Sequence, residues 1–311
     1  MKVGIVGAGA VGAACLVSMV LRGSASEIVL VNRNRQRAAG IVTDLQYGTL
    51  LGPALVLRAG DYDDLRDAAV VVLTAGTNEK NGGATDRNDT SGRLRLLSAN
   101  ATVYREIVPK IVAAAPGAIL LVITDPPDAL ADVARQIAGH DRILSSGTFL
   151  DSLRFRFELG RRLAVSPNSI QAQVLGEHGT SQVFLWSTAC VAGKAIIPSL
   201  VPRDAAADDF RRDVEKAVRY ANITIIEGTG ASQFGIGVVA ARIVEIIARD
   251  ERAVVPIGAY SNEYGVTLTL PARLGRDGIS AIIMPTLSSE EDHRLGQSAS
   301  VLRQALKTIN A

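Results

Sequence analysis

Six residues near the N-terminus, Gly7-Ala8-Gly9-Ala10-Val11-Gly12, restrict what this chain can fold into more than any other segment. They lie between a short apolar run, Val3 to Val6, and a stretch from Val11 to Leu21 that reads as a helix. Glycines at this spacing permit a tight strand-to-helix turn, close approach of the backbone to a pyrophosphate, and close packing of helix on strand. The helix N-terminus adds backbone N–H groups and the positive end of its dipole. Gly7, Gly9, Ala10, Val11 and Gly12 are therefore read as a dinucleotide phosphate cradle.

Three further apolar runs, Glu27 to Val31, Val70 to Leu73 and Ile119 to Ile123, are separated by helical segments. Such runs suit strands buried on both faces of a parallel sheet. The expected class is α/β, with a Rossmann-type doubly wound parallel sheet over residues 1–145 and a C-terminal α+β substrate domain over 146–311. In the second half Ser169 to Leu175, Val183 to Val191 and Val254 to Tyr260 read as strands. Ala205 to Ile226, Gly237 to Arg249 and Ser288 to Ile309 read as helices, the last with Glu290, Glu291 and Asp292 suited to its first turn. Thr77 to Gly92 is polar, rich in Gly and Asn, and lacks apolar periodicity. A loop of that length inside a domain is expected to be a lid, open and mobile without ligand.

Charge excludes some partners. Lys and Arg number 33 against 31 Asp and Glu, a net +2, so neither nucleic acid nor an anionic membrane is expected. Cys15 and Cys190 lack metal-ligand spacing and read as buried inert thiols. The apolar N-terminus imitates a secretion signal, but Gly4, Gly7, Gly9 and Gly12 interrupt it, and a cytoplasmic protein is expected.

About 20 residues after the glycine turn, an acidic residue would ordinarily hold the adenosine ribose 2′-OH. Asn32 stands there, followed by Arg33, Asn34 and Arg35. A carboxylate repels a 2′-phosphate, whereas guanidinium groups attract one. Both NAD and NADP stay open, with a lean to NADP; the opposing reading makes Arg33 and Arg35 solvated charges at the start of a helix.

Gly147-Thr148-Phe149-Leu150-Asp151-Ser152-Leu153-Arg154-Phe155-Arg156 is followed by Gly176-Glu177-His178-Gly179, and Arg93 precedes a helix through Asn100 to Pro109. With the glycine turn, these segments resemble the L-lactate/malate dehydrogenase family, and its lactate-type branch more closely, over nearly the whole chain. The resemblance implies that His178 is the general acid/base, Asp151 holds its imidazole, Arg154 clamps the substrate carboxylate, and Arg93 polarises the carbonyl. It also implies cofactor contacts at Thr74, Ala75, Gly76 and Asn100. The roles are chemically coherent: ketone reduction at neutral pH needs a group that titrates there, which histidine supplies. General acid catalysis gives ~10²–10⁴-fold, and a preorganised charge at the developing alkoxide on the order of 3–4 kcal/mol.

Several positions depart from the family. The segment before Arg93 is longer by several residues, and Glu79 stands where lactate-type members often carry Gln and malate-type members Arg, although the insertion leaves Lys80 or Arg87 as alternatives. Asp125-Pro126-Pro127 replaces an Asn-Pro pair whose Asn donates near the reacting carbonyl; an ionised Asp cannot donate. Thr180 replaces an Asp, and Ser232 matches a pocket-lining Thr. Glu79 and Asp125 together suggest a 2-oxo acid with a cationic or hydrogen-bond-donating side chain. Gln171 replaces the His that, with the position of Arg156, binds an activating sugar bisphosphate in allosteric relatives, so no such activation is expected. The expected activity is interconversion of a 2-oxo acid and its L-2-hydroxy acid. The alternatives are a malate dehydrogenase, which needs a loop cation, and an inactive nucleotide sensor. A homodimer or homotetramer is implied by the resemblance.

Overall fold

The computed structural model describes residues 1–82, 84–89, 91–201 and 205–310, the side chains of 205, 206 and 310 excepted. Its first half alternates strand and helix: β1 (Lys2–Val6), α1 (Ala10–Arg22), β2 (Glu27–Val31), α2 (Arg35–Gly48), β3 (Val56–Gly60), β4 (Val70–Leu73), α3 (Leu97–Ala114), β5 (Ile119–Val122), α4 (Pro127–Ala138) and β6 (Ile143–Ser145). The six strands run parallel in the order β3-β2-β1-β4-β5-β6. In this doubly wound arrangement ligands bind beyond the carboxyl ends of the strands where the order reverses, here between β1 and β4.

The strands are apolar on both faces because both faces are covered. Val3, Ile5, Ile28, Leu30, Val70 and Val72 pack on one side with Cys15, Leu16 and Met19 of α1. Val6, Val29, Val31, Val71 and Leu73 pack on the other with Leu97, Ala101, Tyr104 and Val108 of α3. Each buried Val, Leu, Ile or Met among these contributes about 1.5–3 kcal/mol of burial.

The second half comprises α5 (Phe149–Leu163), β7 (Ile170–Gln171), β8 (Val174–Leu175), β9 (Val183–Phe184), β10 (Cys190–Val191), β11 (Lys194–Ala195), α6 (Ile196–Ser199), α7 (Ala205–Arg219), α8 (Ala221–Thr229), α9 (Phe234–Ala248), β12 (Ala253–Ser261), β13 (Val266–Gly275), β14 (Gly278–Ile282) and α10 (Ser289–Asn310). Strands β12 to β14 extend the first sheet antiparallel beyond β6, with Gly258 opposite Ser145, so nine strands form one sheet through both halves. Helix α9 crosses α1 so closely that a Cβ on Gly237 would lie 2.7 Å from the Ala14 carbonyl carbon. No single helix among the described residues is long and apolar enough to cross a membrane.

Several expectations need correction. Ser169 to Leu175 forms two short strands, as does Val183 to Val191. The long helix expected from Ala205 to Ile226 breaks at Tyr220 (φ −104°, ψ 10°), and α8 starts there. Cys15 is fully buried, and burial pushes its thiol up to about 12, but Cys190 is only partly buried, its Sγ 3.4 Å from Gln171 Oε1. The segment from Thr77 is not open: Glu79, Ala84 and Arg93 are buried, and the Ala84 N–H donates to the Glu79 carbonyl at 2.8 Å. Arg87, at the tip, pairs with Glu227 of α8 at 2.6 Å.

Candidate active site

The glycine turn follows β1 directly. Gly7 has φ +116°, a conformation that excludes a Cβ, and such a Cβ would meet Thr74 Oγ1 and Ala75 N at 2.7 Å. A Cβ on Gly12 would lie 1.9 Å from the Gly7 carbonyl, which fixes glycine where helix and turn touch. Gly9 caps α1 with no side-chain hydrogen bond and has open space where its Cβ would project. That space suits a pyrophosphate. A groove of about 1090 Å³ runs from it past Asn32, Arg33, Arg37 and Tyr62 to Thr74–Thr77.

Asn32 is turned differently from the sequence reading. Its Oδ1 accepts from the Ala8 N–H at 3.0 Å and its Nδ2 donates to the Asn34 carbonyl at 3.0 Å, so the amide braces the turn. Arg35 pairs with Asp61, and Arg37 donates to the Ala8 carbonyl at 2.5 Å. Arg33 is the arginine of the Asn32–Arg35 run that lines the groove. Asn100, expected as a cofactor contact, is fully buried. It accepts from the Thr77 N–H at 2.7 Å and donates to the Asp125 carbonyl at 2.7 Å, so it supports the groove from beneath.

A cleft of about 670 Å³ continues from this groove, lined by Val11, Thr74, Gly76, Glu79, Arg93, Asp125, Arg154, His178, Asn222 and Ser232 among others. Asp151 and Arg154 lie one turn apart on α5, which aims both at the loop between β8 and β9 that carries His178. His178 Nδ1 is 2.5 Å from Asp151 Oδ2, and Arg154 donates to Asp151 Oδ1 at 3.0 Å. Burial opposes the charge of Asp151, but His178, Arg154 and Arg93 outweigh it and hold the carboxyl below the usual carboxylate range. Ser232 Oγ stands 3.5 Å from Arg154.

Sequence reading missed two residues here. Asp128, in the first turn of α4, accepts the His178 backbone N–H at 2.7 Å and the Ser145 hydroxyl, fixing the loop; burial pushes its carboxyl up to about 6. Asn222, on α8, donates to Glu79 Oε1 at 3.3 Å. An acidic residue shortly after Pro126-Pro127 could have signalled the first; nothing local signals the second.

Glu79, and neither Lys80 nor Arg87, reaches the cleft. Lys80 is exposed and Arg87 is held on α8. Arg93 Nε lies 3.7 Å from Glu79 and 3.4 Å from Asp125, and is buried without a hydrogen-bond partner among the described residues. Burial, then the charge of Asp125, push the Glu79 carboxyl up to about 7 against the opposing pull of Arg93 and Asn222. Asp125 Oδ1 is 3.8 Å from His178 Nε2. Among the described residues no cluster of His, Cys, Asp and Glu is arranged to hold a metal ion.

A family model for the lactate/malate dehydrogenase NAD binding domain matches residues 1–144, and one for the lactate/malate dehydrogenase alpha/beta C-terminal domain matches residues 148–311. The chain belongs to the lactate/malate dehydrogenase family. L-lactate dehydrogenase of Chloroherpeton thalassium is 41% identical over 100% of both chains. That of Deinococcus radiodurans is 41% identical over 97% of both, and that of Thermus aquaticus 39% identical over 99% of both. A solved lactate dehydrogenase from a Medee basin deep-sea metagenome library superposes with a TM-score of 0.89 at 34% identity, covering 100% of this chain and 99% of its own. The ligand-bound minor L-lactate dehydrogenase of Enterococcus mundtii gives 0.89 at 34%, covering 99% and 98%. This member of the family is thus a 2-hydroxy acid dehydrogenase with an NAD-binding domain.

Proposed function

We propose that the protein is a lactate-type L-2-hydroxy acid dehydrogenase in which His178 exchanges a proton with the substrate oxygen, Arg154 holds the substrate carboxylate and Arg93 polarises the carbonyl. The observation that carries these assignments is the meeting, in one cleft, of an imidazole bound to a buried carboxylate with the buried guanidinium of Arg93 and the largely buried one of Arg154. Asp151 engages Nδ1 and so leaves Nε2 as the atom that gives or takes the proton. The nicotinamide of the cofactor, when bound, would supply the hydride in its reduced form and take it up in its oxidised form. Arg154 is already oriented by Asp151, and its planar fork suits a carboxylate bidentately. The closed segment from Thr77 excludes water from the reacting atoms.

A malate-type reading lacks support, because Glu79 stands where a cation would meet a second carboxylate. NAD is the proposed working cofactor; Arg33 supplies the attraction for a 2′-phosphate, since Asn32 and Arg35 are engaged elsewhere. Assembly as a homodimer or homotetramer belongs to the same proposal, supported by exposed Val17 and Leu21 on α1 and Val238 on the adjoining α9. The experiment is absorbance of reduced cofactor with NADH or NADPH and a panel of 2-oxo acids. Turnover with at least one acid is expected; cofactor binding without turnover of any acid would favour the inactive sensor instead.

A further inference from the structure

The substrate end of the cleft carries an unusual charge. Arg93 and Arg154 face three carboxylates, Glu79, Asp125 and Asp151, all of them buried or largely buried. With His178 protonated, as reduction of a ketone requires, these groups sum to zero. A 2-oxo acid brings one negative charge on its carboxylate. With Glu79 ionised, the complex returns to neutrality when the acid also carries one positive charge; with Glu79 protonated, the carboxylate of the acid alone suffices.

The placement of the carboxylates says where that charge sits. Arg154 and Asp151 occupy the end assigned to the substrate carboxylate, and His178 the position of the carbonyl oxygen. Glu79, Asp125 and Asn222 line the same cleft, beside the apolar Ile123, Leu150 and Ile236. Asn222 donates to Glu79, and Glu79 and Asp125 hydrogen-bond each other while one of them keeps its proton; with both ionised that bond is lost, although an ionised carboxylate can accept about four. Arg93 Nε stands too far from both acids, at 3.7 and 3.4 Å, to satisfy either with a good hydrogen bond. A buried carboxylate with so few donors is costly unless a ligand supplies them.

Resting on the dehydrogenase reading, we infer that the preferred 2-hydroxy acid bears a cationic nitrogen on its side chain, and that Glu79 and Asp125 are the residues that select it. The raised position of the Glu79 carboxyl fits this role, since burial and Asp125 disfavour its charge until a cation arrives. The charged groups facing Glu79 are Asp125, from the β5–α4 junction, and Arg93, from the turn before α3. Binding of the cation therefore strengthens as pH rises through about 7.

The test uses the oxidation direction, because a free amine can condense with its own ketone. Reduced NAD formation is followed with ω-amino and ω-guanidino 2-hydroxy acids of increasing length, each beside an alkyl isostere and a dicarboxylic isostere. For the best length, kcat/KM of the cation should exceed that of the alkyl isostere by on the order of 10²-fold at about pH 8. Glu79→Gln should cut that ratio to below about tenfold while raising the rate with the alkyl acid. KM of the cation should fall with rising pH in the wild type, and this trend should vanish in Glu79→Gln. An alkyl acid oxidised as well as, or better than, every cation overturns the inference and leaves the dehydrogenase reading standing; Glu79 and Asp125 would then share a proton. Failure to oxidise any of these acids, lactate included, overturns the dehydrogenase reading itself.

Discussion

Replacing Glu79 by Gln tests whether a carboxyl group at this place is held protonated by its surroundings. In the unfolded chain the group ionises near its ordinary value of 4.5, and in the fold its carboxyl is pushed up to about 7. The fold therefore favours the protonated form. The stability linked to this group is fully present below the unfolded value and is lost as pH rises through the folded one. At about 1.4 kcal/mol for each tenfold change, the interval corresponds to roughly 3 kcal/mol. Glutamine keeps the shape and can still pair with Asn222, but it never ionises. Urea unfolding of both proteins from about pH 5 to about pH 8 should show Glu79→Gln gaining on the wild type as pH rises, by roughly 2 to 3 kcal/mol across the range. Asp128 and Asp132, also raised by burial to about 6, slope both curves alike and cancel in the difference. Stability curves that stay parallel would refute the reasoning, because the carboxyl would then not be raised by the fold.

Further outcomes follow from the geometry. Asp151→Asn keeps the contact to His178 but removes the charge that stabilises its protonated form, so kcat should fall by ~10²–10⁴-fold in steady-state assays while cofactor binding is retained. Arg154→Leu removes the carboxylate clamp and leaves Asp151 without that partner; kcat/KM for any 2-oxo acid should drop by on the order of 10²-fold or more. Arg33→Ala should lower kcat/KM with NADPH by about fivefold to tenfold and change the value with NADH by less than about twofold, measured with one acid at low ionic strength.

Much of the first half was legible because each buried strand writes itself as an apolar run. β2, β4 and β5 lie within the runs expected from the sequence, and β1 starts one residue before its run. β3 escaped because it is a half-exposed edge strand with Arg58 in its middle, tied to Glu27 and Asp64. β6 is three residues long, too short to show a period. β13 carries Pro271 inside a strand, a residue that argues against one, and tolerates it where Pro256 of β12 lies opposite. The segment from Thr77 looked structureless because its order comes from contacts distant in sequence, such as Arg87 with Glu227.

The site was legible to the extent that its residues sit in short motifs. Asp151, Arg154 and His178 are brought together as the motifs implied, and Glu79 and Asp125 reach the same cleft. Asn32 and Arg35 were legible as residue types but not as contacts, since Asn32 serves the Ala8 backbone and Arg35 serves Asp61. Asn222 lies 143 residues from Glu79, and only the break at Tyr220 swings α8 over the cleft to join them.

The central claim is direct transfer of hydrogen between nicotinamide and C2 of a 2-hydroxy acid in the cleft around His178. It is tested most directly by running the reduction with NADH deuterated at C4 of the nicotinamide, on the face that a lactate-type enzyme uses, and analysing the product by mass spectrometry and chiral chromatography. The account predicts an L-2-hydroxy acid carrying deuterium at C2, formed by the wild type and lost in His178→Asn. A product without deuterium, a D-configured product, or undiminished transfer in His178→Asn would contradict it.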